Sequence, residues 1–290
     1  MARRFGIEME FSTNKSSYEI ATALATKGLE IQNVGGYGHS SGHLWELKTD
    51  SSASHPNHGR GYELASRILE GDQGLKEVDW YAKALNNLRN EHDFKVNRQC
   101  GIHLHVDVSD FTEQQFRNLI RLVMYFEPVI FGINPPSRKG NRYCKAIQGQ
   151  QRFEELAGMH GDLTPEQVRQ SLEVVARDRY FGLNVTKYMT QGRIEFRYGA
   201  ASLNPKKILG WVSVLLAIVE KAKSMTRCRF EPNNNTKTLS ERKDDLRRIL
   251  GTLRQNGITY KVALAPSVLD ERFDTFSQSV GDQVPVYGRA

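Results

Sequence analysis

Three short segments of the chain carry charged or ionisable side chains at every second position, a spacing that would gather them for metal or phosphate chemistry. These side chains are Glu8 and Glu10 in the first segment, His103 and His105 in the second, and Arg193, Glu195 and Arg197 in the third. Residues two apart on a β-strand lie on the same face, and like charges held together there repel each other. A bound cation and a bound phosphate would relieve that repulsion. The pattern therefore predicts a site that binds metal ions and phosphate.

The residue types indicate which ions such a site would hold. The candidate metal ligands are Glu8, Glu10, Glu63, His103, His105 and Glu195. Carboxylate oxygens suit hard divalent cations and imidazole tolerates Mn²⁺ better than Mg²⁺, so this set favours Mg²⁺ or Mn²⁺ over structural zinc. Lys48, Arg193 and Arg197 carry cationic groups that bind phosphate oxygens. Metals and cations around phosphate are typical of phosphoryl transfer.

Each segment taken alone has a simpler interpretation. A Glu-x-Glu strand is often only the polar face of a sheet, and residues 193–197 would also form a salt-bridge ladder between strands. A glycine precedes the charged residues in each of the three segments. Their joint occurrence is what favours a shared site.

The segments that must position these side chains are predicted as strands and helices in irregular order. Alternation of apolar and polar residues predicts strands at 4–11, 30–33, 43–49, 61–64, 95–96, 102–108, 183–186 and 193–198. Capping residues predict helices that begin at Ser16, Asp72, Thr112, Thr164 and Asn204, and a charged helix is predicted at 239–255. This mixture predicts the α+β class with a mostly antiparallel sheet.

Composition limits the remaining function classes. The 290 residues carry a formal net charge of +7, which favours anionic partners without choosing between a nucleotide, an acidic substrate and a nucleic acid. The three cysteines are far apart in sequence, which argues against a disulfide framework or a thiolate zinc site. The longest apolar run, 208–219, is too short to span a membrane and is expected to form a buried helix. Because a strand is predicted from Arg4, we expect no signal peptide and a cytoplasmic location.

Two polar regions are expected to lie outside the regular elements. Residues 229–238 contain three consecutive asparagines and divide a predicted domain at 1–228 from a C-terminal helical extension at 229–290. Residues 35–38 are rich in glycine but lack the lysine and hydroxyl residue that end a phosphate-binding loop. We expect these glycines to form a mobile loop at the rim of the site.

Five motifs follow one another in a recognisable order. They are FGIEMEF at 5–11, WELKTDSS at 45–52, GYELAS at 61–66, CGIHLHV at 100–106 and RIEFRY at 193–198. This ordered set resembles the amidoligases, which are carboxylate–amine ligases of the glutamine-synthetase-like fold. Two further stretches, PSRKGNRYC at 136–144 and RYFGLN at 179–184, resemble the same family, and the resemblance covers residues 4–220. It implies a curved, mostly antiparallel sheet that forms an active-site funnel, with helices packed on its outer face.

The resemblance also implies roles for individual residues. ATP would enter one end of the funnel and the acid substrate the other, with two or three Mg²⁺ or Mn²⁺ ions between them. The implied metal ligands are Glu8, Glu10, Glu63, His103 and Glu195. His105 is implied to lie near phosphate or substrate and Arg197 at the γ-phosphate, with Lys48 and Arg193 as cofactor-binding cations. Asp50 belongs to the lysine/aspartate/serine motif of the family. Arg138 and Arg142 are implied to lie on a loop that binds phosphate or a carboxylate.

The implied reaction has two steps. ATP phosphorylates a substrate carboxylate to an acyl phosphate, and an amine then attacks it to give an amide, ADP and phosphate. A small-molecule or peptide carboxylate and an amine donor are therefore the expected partners. Metals and arginines would screen the repulsion between the reacting anions and stabilise the charge that develops. Asp50 and Asp107 are candidates for the group that takes the proton of the amine.

Other functions remain open from the residues alone. A phosphotransferase of the same architecture would move phosphate to a guanidine, and a metal-dependent phosphoesterase or nuclease would use the same glutamate and histidine strands without ATP. The net charge of +7 also fits a basic nucleic-acid-binding protein. That interpretation is not favoured, because the aromatic residues lie among apolar positions and do not alternate with lysine or arginine on an exposed strand.

Overall fold

One sheet carries all the charged segments in the computed structural model of the chain, which describes residues 2–34, 42–161, 163–233 and 236–279. Its strands are β1 (Arg4–Thr13), β2 (Ile31–Asn33), β3 (Trp45–Thr49), β4 (Arg60–Ala65), β5 (Leu69–Glu70), β6 (Gly101–Asp107), β7 (Leu183–Asn184) and β8 (Arg193–Ala200). Their order is β2-β3-β4-β1-β6-β8-β7, and β5 pairs with β1. Every pair of these strands is antiparallel except β2–β3. The predicted α+β class and mostly antiparallel sheet are confirmed.

The described residues also form ten α-helices. They are α1 (Ser17–Ala25), α2 (Gly71–Leu88), α3 (Glu113–Gly132), α4 (Gln151–Leu156), α5 (Pro165–Val175), α6 (Tyr188–Gln191), α7 (Pro205–Ser224), α8 (Leu239–Ile249), α9 (Gly251–Gln255) and α10 (Ala265–Phe276). Four predicted caps are confirmed, at Ser16, Thr112, Thr164 and Asn204. The prediction for Asp72 is wrong, because α2 begins at Gly71 and the Asp72 carboxylate instead accepts hydrogen bonds from Thr259 and Tyr260.

Short elements differ most from the prediction. The strand predicted at 95–96 forms only an isolated bridge between Lys95 and Ser12. The helix predicted at 239–255 divides at Leu250 into α8 and α9. β5, α4, α6 and α10 have no counterpart in the prediction, since elements this short or weakly patterned are fixed by tertiary packing. The glycine-rich loop predicted at 35–38 lies outside the described residues.

The two faces of the sheet differ in polarity, as the alternation predicts. Ile7, Leu104 and Phe196 are buried on one face, in an apolar cluster that they share with α2, α3 and α7. The glutamates and histidines of the same strands therefore lie on the other face. The apolar run at 208–219 lies in α7 and is buried, as predicted. In the described ranges no helix combines the length and the hydropathy that crossing a bilayer requires.

The C-terminal segment packs onto the rest of the chain. Leu246 in α8, Leu253 in α9 and Leu269 in α10 belong to the same apolar cluster as the sheet residues. Asp79 on α2 accepts hydrogen bonds from the hydroxyl of Tyr260 at 2.8 Å and from Lys261 Nζ at 2.6 Å. The domain division at residue 229 stays a prediction, and side chains from both sides of it share one core.

Asp79→Ala should lower the free energy of unfolding by about 2–3 kcal/mol, because it removes the hydrogen bonds that a charged, buried carboxylate accepts. Asp79 is 2% exposed and also pairs with Lys83 Nζ at 2.8 Å. Urea denaturation measures the change. The control is Glu173→Ala on α5, which removes an exposed ion pair with Arg169 and should cost less than about 1 kcal/mol. Equal losses from the two variants would contradict the prediction.

The same carboxylate should give the stability a pH dependence. Burial raises the pKa of Asp79, but hydrogen bonds from Lys261, Lys83 and Tyr260 outweigh burial, and the net pKa lies below the ordinary value. Asp79 therefore stabilises the fold fully above the unfolded-state pKa of about 4, and this contribution is lost as the pH falls through the lower folded-state pKa. The difference in stability between wild type and Asp79→Ala should shrink in that acidic range.

Candidate active site

The polar face of the sheet forms the floor of a cleft of about 510 Å³. The carboxylates among its lining residues are Glu8, Glu10, Asp50, Glu63 and Glu195. The cationic lining residues are Lys48, Arg138, Arg179, Lys187, Arg193 and Arg197, and the histidines are His103 and His105. The cleft thus combines acidic groups that can hold cations with basic groups that can hold anions.

Glu8, His105 and Glu195 form the first group of potential metal ligands. One ligand atom from each lies within 4.8 Å of the others. Strand register produces the group, because His105 lies opposite Glu195 on β8 and Glu8 lies on the adjacent strand β1. The Nε2 atom of His105 is 2.8 Å from Glu8 Oε1. Burial raises the pKa of Glu8, but His105 and His103 outweigh burial and hold that pKa well below its ordinary value.

Glu10, Asp50 and Glu63 form the second group, and their ligand atoms also lie within 4.8 Å of one another. Glu10 and Glu63 lie directly opposite each other on β1 and β4, which is unfavourable for two like charges. The backbone N–H of Gly101 donates to Glu10 Oε2 at 2.6 Å. Burial, followed by the charge of Glu8, raises the pKa of Glu63 to about 9. A cation beside Glu63 would favour its ionised form.

His103 lies between the two groups. Its Nδ1 atom is 3.0 Å from Glu8 Oε2 and 3.5 Å from Glu195 Oε1, and its Nε2 atom is 3.6 Å from Glu10 Oε1. The sequence predicts His103 as a metal ligand and His105 as a neighbour of phosphate or substrate. Both rings lie within hydrogen-bond distance of Glu8, so that division of roles stays a prediction.

A bulge in the sheet accompanies the placement of Arg197 beside Glu195. The register between β6 and β8 shifts between Ile102 and Leu104, and such bulges re-aim side chains. Arg197 donates through Nη1 to Glu195 and through Nε to the backbone oxygen of Tyr143, the latter at 3.2 Å. The guanidinium group thus lies at the first ligand group, where it can meet a phosphate oxygen.

A buried network fixes the loop that carries Arg138. The guanidinium group of Arg138 donates to the backbone oxygens of Arg197 and Tyr198. The hydroxyl of Tyr198 donates to Glu127 on α3, which also accepts the backbone N–H groups of residues 147 and 148 at 2.8 Å each. Burial raises the pKa of Glu127 to about 7. The sequence signal for Glu127 is weak, a single acid within an apolar stretch of helix.

Of the predicted site residues, the structure leaves Arg142 outside the cleft. Arg142 is exposed, and its guanidinium group lies over the ring of Tyr143 at 4.6 Å from the centroid. Conversely, Asn184 on β7 has no role in the sequence prediction, although it ends one of the recognised motifs. Its Nδ2 atom donates to Glu195 Oε2 at 2.6 Å and so helps to orient that carboxylate.

A second chamber of about 410 Å³ adjoins the cleft. Glu8, Lys48, His105 and Arg193 line both spaces. Other residues that line the second chamber include Arg4, Phe5, Arg67, Ile68 and Asp107. The two chambers therefore meet at the first ligand group.

The donor atoms fit divalent ions such as Mg²⁺ and Mn²⁺. Among the described residues, each ligand group contributes at least two carboxylates and neither contains a cysteine. Hard oxygen ligands with at most one imidazole are the set that these ions accept, whereas structural zinc is held mainly by thiolates and imidazoles. These donors are therefore compatible with Mg²⁺ or Mn²⁺, and the identity of the ions stays a prediction.

Comparisons with known proteins give one family and several distant structures. A family model described as "Putative amidoligase enzyme" matches residues 1–219. No curated protein matches the chain. Similar solved structures include a bifunctional glutathione synthetase from Pasteurella multocida, with 14% identity and a TM-score of 0.45 over 97% of this chain and 49% of that chain. A novel glutamine synthase homolog has 12% identity and a TM-score of 0.39 over 96% of this chain and 69% of that chain. A GmaS/ADP complex has 11% identity and a TM-score of 0.41 over 94% of this chain and 70% of that chain. The chain spans about half the length of the bifunctional glutathione synthetase.

Glu63→Gln should make the metal-free protein more stable at neutral pH, because Glu63 must take up a proton when the wild type folds beside Glu8 and Glu10, whereas glutamine is neutral in both states. With a pKa of about 9, Glu63 is protonated in the folded chain at neutral pH but ionised in the unfolded chain. The folded state then binds more protons, so the stability of the metal-free wild type falls as the pH rises from about 4 towards 9. Thermal unfolding in a chelator across this range measures the fall, which should be smaller in the variant.

Mn²⁺ should reverse the order of stability of the wild type and Glu63→Gln. It should raise the melting temperature of the wild type and have a much smaller effect on Glu63→Gln, which offers one ligand charge less. Glu173→Gln on the exposed face of α5 is the control and should follow the wild type in both conditions. A Glu63→Gln variant that is less stable than the wild type in chelator near pH 8 would contradict the prediction.

Proposed function

The chain belongs to the amidoligase family, and we propose that it is an ATP-dependent ligase that joins a carboxylate to an amine through an acyl phosphate. The observation that carries this proposal is the pair of carboxylate-rich ligand groups beside Arg197 in one cleft. A carboxylate is a poor electrophile, and its attack on ATP brings two anions together. Cations around the reacting groups are what such a reaction requires.

Two Mg²⁺ or Mn²⁺ ions would bind at the two ligand groups. The residues that would hold the first are Glu8, Glu195 and one of the two histidines. Glu10 and Glu63 would hold the second, and Asp50, the third member of that group, is left free for proton transfer. Such ions, when bound, neutralise the charge of the phosphates during phosphoryl transfer. The preference of Mg²⁺ and Mn²⁺ for carboxylate oxygen supports this assignment.

Arg197, Arg193 and Lys48 are the side chains proposed to bind the phosphate groups. An oxygen of the substrate carboxylate attacks the γ-phosphorus, and the bond to ADP breaks so that ADP leaves with the electron pair. Arg197 is suited to stabilise the transferred group, because its planar fork matches phosphate oxygens and already lies at Glu195. His105 lines both chambers and would donate to the same oxygens.

The two chambers are proposed to separate the nucleotide from the acid. The second chamber offers the exposed side chain of Ile68 beside Arg4 and Arg67, a combination that suits a purine ring and its phosphates. The cleft offers Arg138 and Arg179, which suit the carboxylate groups of an acid. A substrate in each chamber would meet the other at the first ligand group, where transfer must occur.

Asp50 is the group proposed to take the proton of the amine. It lines the cleft, and its Oδ1 atom accepts hydrogen bonds from the N–H and the hydroxyl of Ser52 at 2.8 and 2.7 Å. The amine nitrogen attacks the acyl carbon, the bond from that carbon to the phosphate oxygen breaks, phosphate leaves, and the proton passes to the carboxylate. Asp107 is less suited, because it lines the chamber proposed for the nucleotide.

ATP binding should depend on a divalent ion and on Glu195. Calorimetry should give a binding signal in Mg²⁺ or Mn²⁺ that is absent in chelator and that Glu195→Gln weakens at least about tenfold, the effect of losing a charged ligand interaction. Glu173→Gln is the matched control and should bind as the wild type does. If no nucleotide binds with either metal, the ligase proposal is wrong, and the phosphoesterase and nucleic-acid-binding alternatives move ahead of it.

Product analysis would separate the remaining alternatives. With an acid and an amine found by screening for ADP release, a ligase yields an amide, ADP and phosphate in equal amounts. A phosphotransferase instead yields ADP and a phosphorylated guanidine without free phosphate. A phosphoesterase or nuclease acts without ATP.

Asp50→Asn should slow amide formation by about 100-fold or more, the usual contribution of a positioned base. Formation of the acyl phosphate should be largely retained. Hydroxylamine is unprotonated at neutral pH and needs no base, so the variant should still convert the accepted acid to a hydroxamate. Asp107→Asn is the control and should change neither rate. Parallel losses of amide and hydroxamate would show that Asp50 serves the first step instead.

A further inference from the structure

The side chain of Lys48 lies between two glutamates on the polar face of the sheet. Its Nζ atom is 3.0 Å from Glu46 Oε2 and 3.8 Å from Glu63 Oε1. Lys48 lies opposite Glu63 in the strand register and lines both chambers. Glu46 is 8% exposed and, among the described residues, belongs to neither ligand group. A buried carboxylate outside the proposed metal positions therefore has an ammonium group as its partner.

A third glutamate lies near this ammonium group in the strand register. Ala65 on β4 pairs with Glu8 on one side and with Glu46 on the other, so that a methyl group separates two carboxylates across the strands. The ammonium group of a lysine is ordinarily charged at neutral pH. Lys48 therefore brings one positive charge to a place bordered by three glutamates.

An ammonium group and a divalent ion differ in how they neutralise the charge of carboxylates. A lysine contributes one charge and stays attached to the chain, whereas a divalent ion contributes two charges and exchanges with solvent. We propose that the Lys48 ammonium group occupies a third cation position, bordered by Glu8, Glu46 and Glu63, so that the chain takes two divalent ions and not three. If the two ligand groups hold divalent ions, as the proposed function requires, Lys48 limits their number.

A permanent charge at this position has a consequence for transfer. Lys48 lies where the two chambers meet, and the γ-phosphate would pass from the nucleotide to the acid at that point. A lysine charge remains in place when ADP and any ion bound to it leave. The Lys48 ammonium group, as the third cation of the site, then stays in place whether or not a nucleotide is bound.

Titration with Mn²⁺ alone, without ATP or substrate, tests this role. Electron paramagnetic resonance of free Mn²⁺ counts the ions bound per chain, and the wild type should bind two. Lys48→Met removes the charge but keeps a long side chain, and it should take up a third Mn²⁺, because Glu46 and Glu63 then lack their cationic partner. Lys48→Arg keeps the charge and should stay at two.

Two further variants make the test specific to this position. Lys48→Met combined with Glu46→Gln should return to two ions, since one of the bordering carboxylates is gone. Lys95→Met removes a lysine from an ion pair with Asp93, outside both chambers, and should stay at two. It controls for a change in net charge. Thermal unfolding verifies that each variant is folded.

The outcomes separate this role from the proposed function. Three Mn²⁺ bound by the wild type, or only two bound by a folded Lys48→Met, would overturn the role of Lys48 and leave the ligase proposal standing. No Mn²⁺ bound by any of the proteins would overturn both. Two ions in the wild type and a third that appears only in Lys48→Met is the result expected.

Discussion

The site depends on holding like-charged carboxylates together on one face of a sheet. Glu10 and Glu63 lie directly opposite each other, and Glu8 lies two residues away on the same strand face. The free energy that holds them there comes from the other face, where buried side chains such as Ile7 and Met9 each contribute roughly 1.5–3 kcal/mol. Alternation joins the two faces, because every apolar side chain packed against the helices fixes a charged neighbour in the cleft.

The chain compensates for this repulsion unevenly. In the first ligand group two histidines and Arg197 lie beside the carboxylates. Burial raises the pKa of Glu8, but the two histidines lower it by more, so that this pKa lies well below its ordinary value. In the second group burial dominates, the pKa of Glu10 is raised, and that of Glu63 is raised to about 9. The second group is therefore the one whose ionisation depends most on a cation from outside the chain.

Local sequence pattern predicts much of this structure, and the limits of the prediction have a physical cause. Alternation identifies β1, β6 and β8 together with their polar faces, since strand period is a local property. The roles of Glu127 and Asp79 could not be found in this way, because each accepts a hydrogen bond from a tyrosine that is distant in sequence. Tyr198 lies 71 residues from Glu127, and Tyr260 lies 181 residues from Asp79. The roles of His103 and His105 are equally hidden, because spacing gives their shared face but not which ring nitrogen meets which carboxylate.

The central position of β1 makes its register decisive for the whole site. β1 pairs with β4 on one side and with β6 on the other. Glu10 completes the second ligand group with β4, whereas Glu8 lies opposite His103 on β6 and belongs to the first group. A slip of β1 by one residue would turn both glutamates to the apolar face, and a slip by two would bring each opposite the wrong partner. Both ligand groups therefore depend on the same register, that of β1 between β4 and β6.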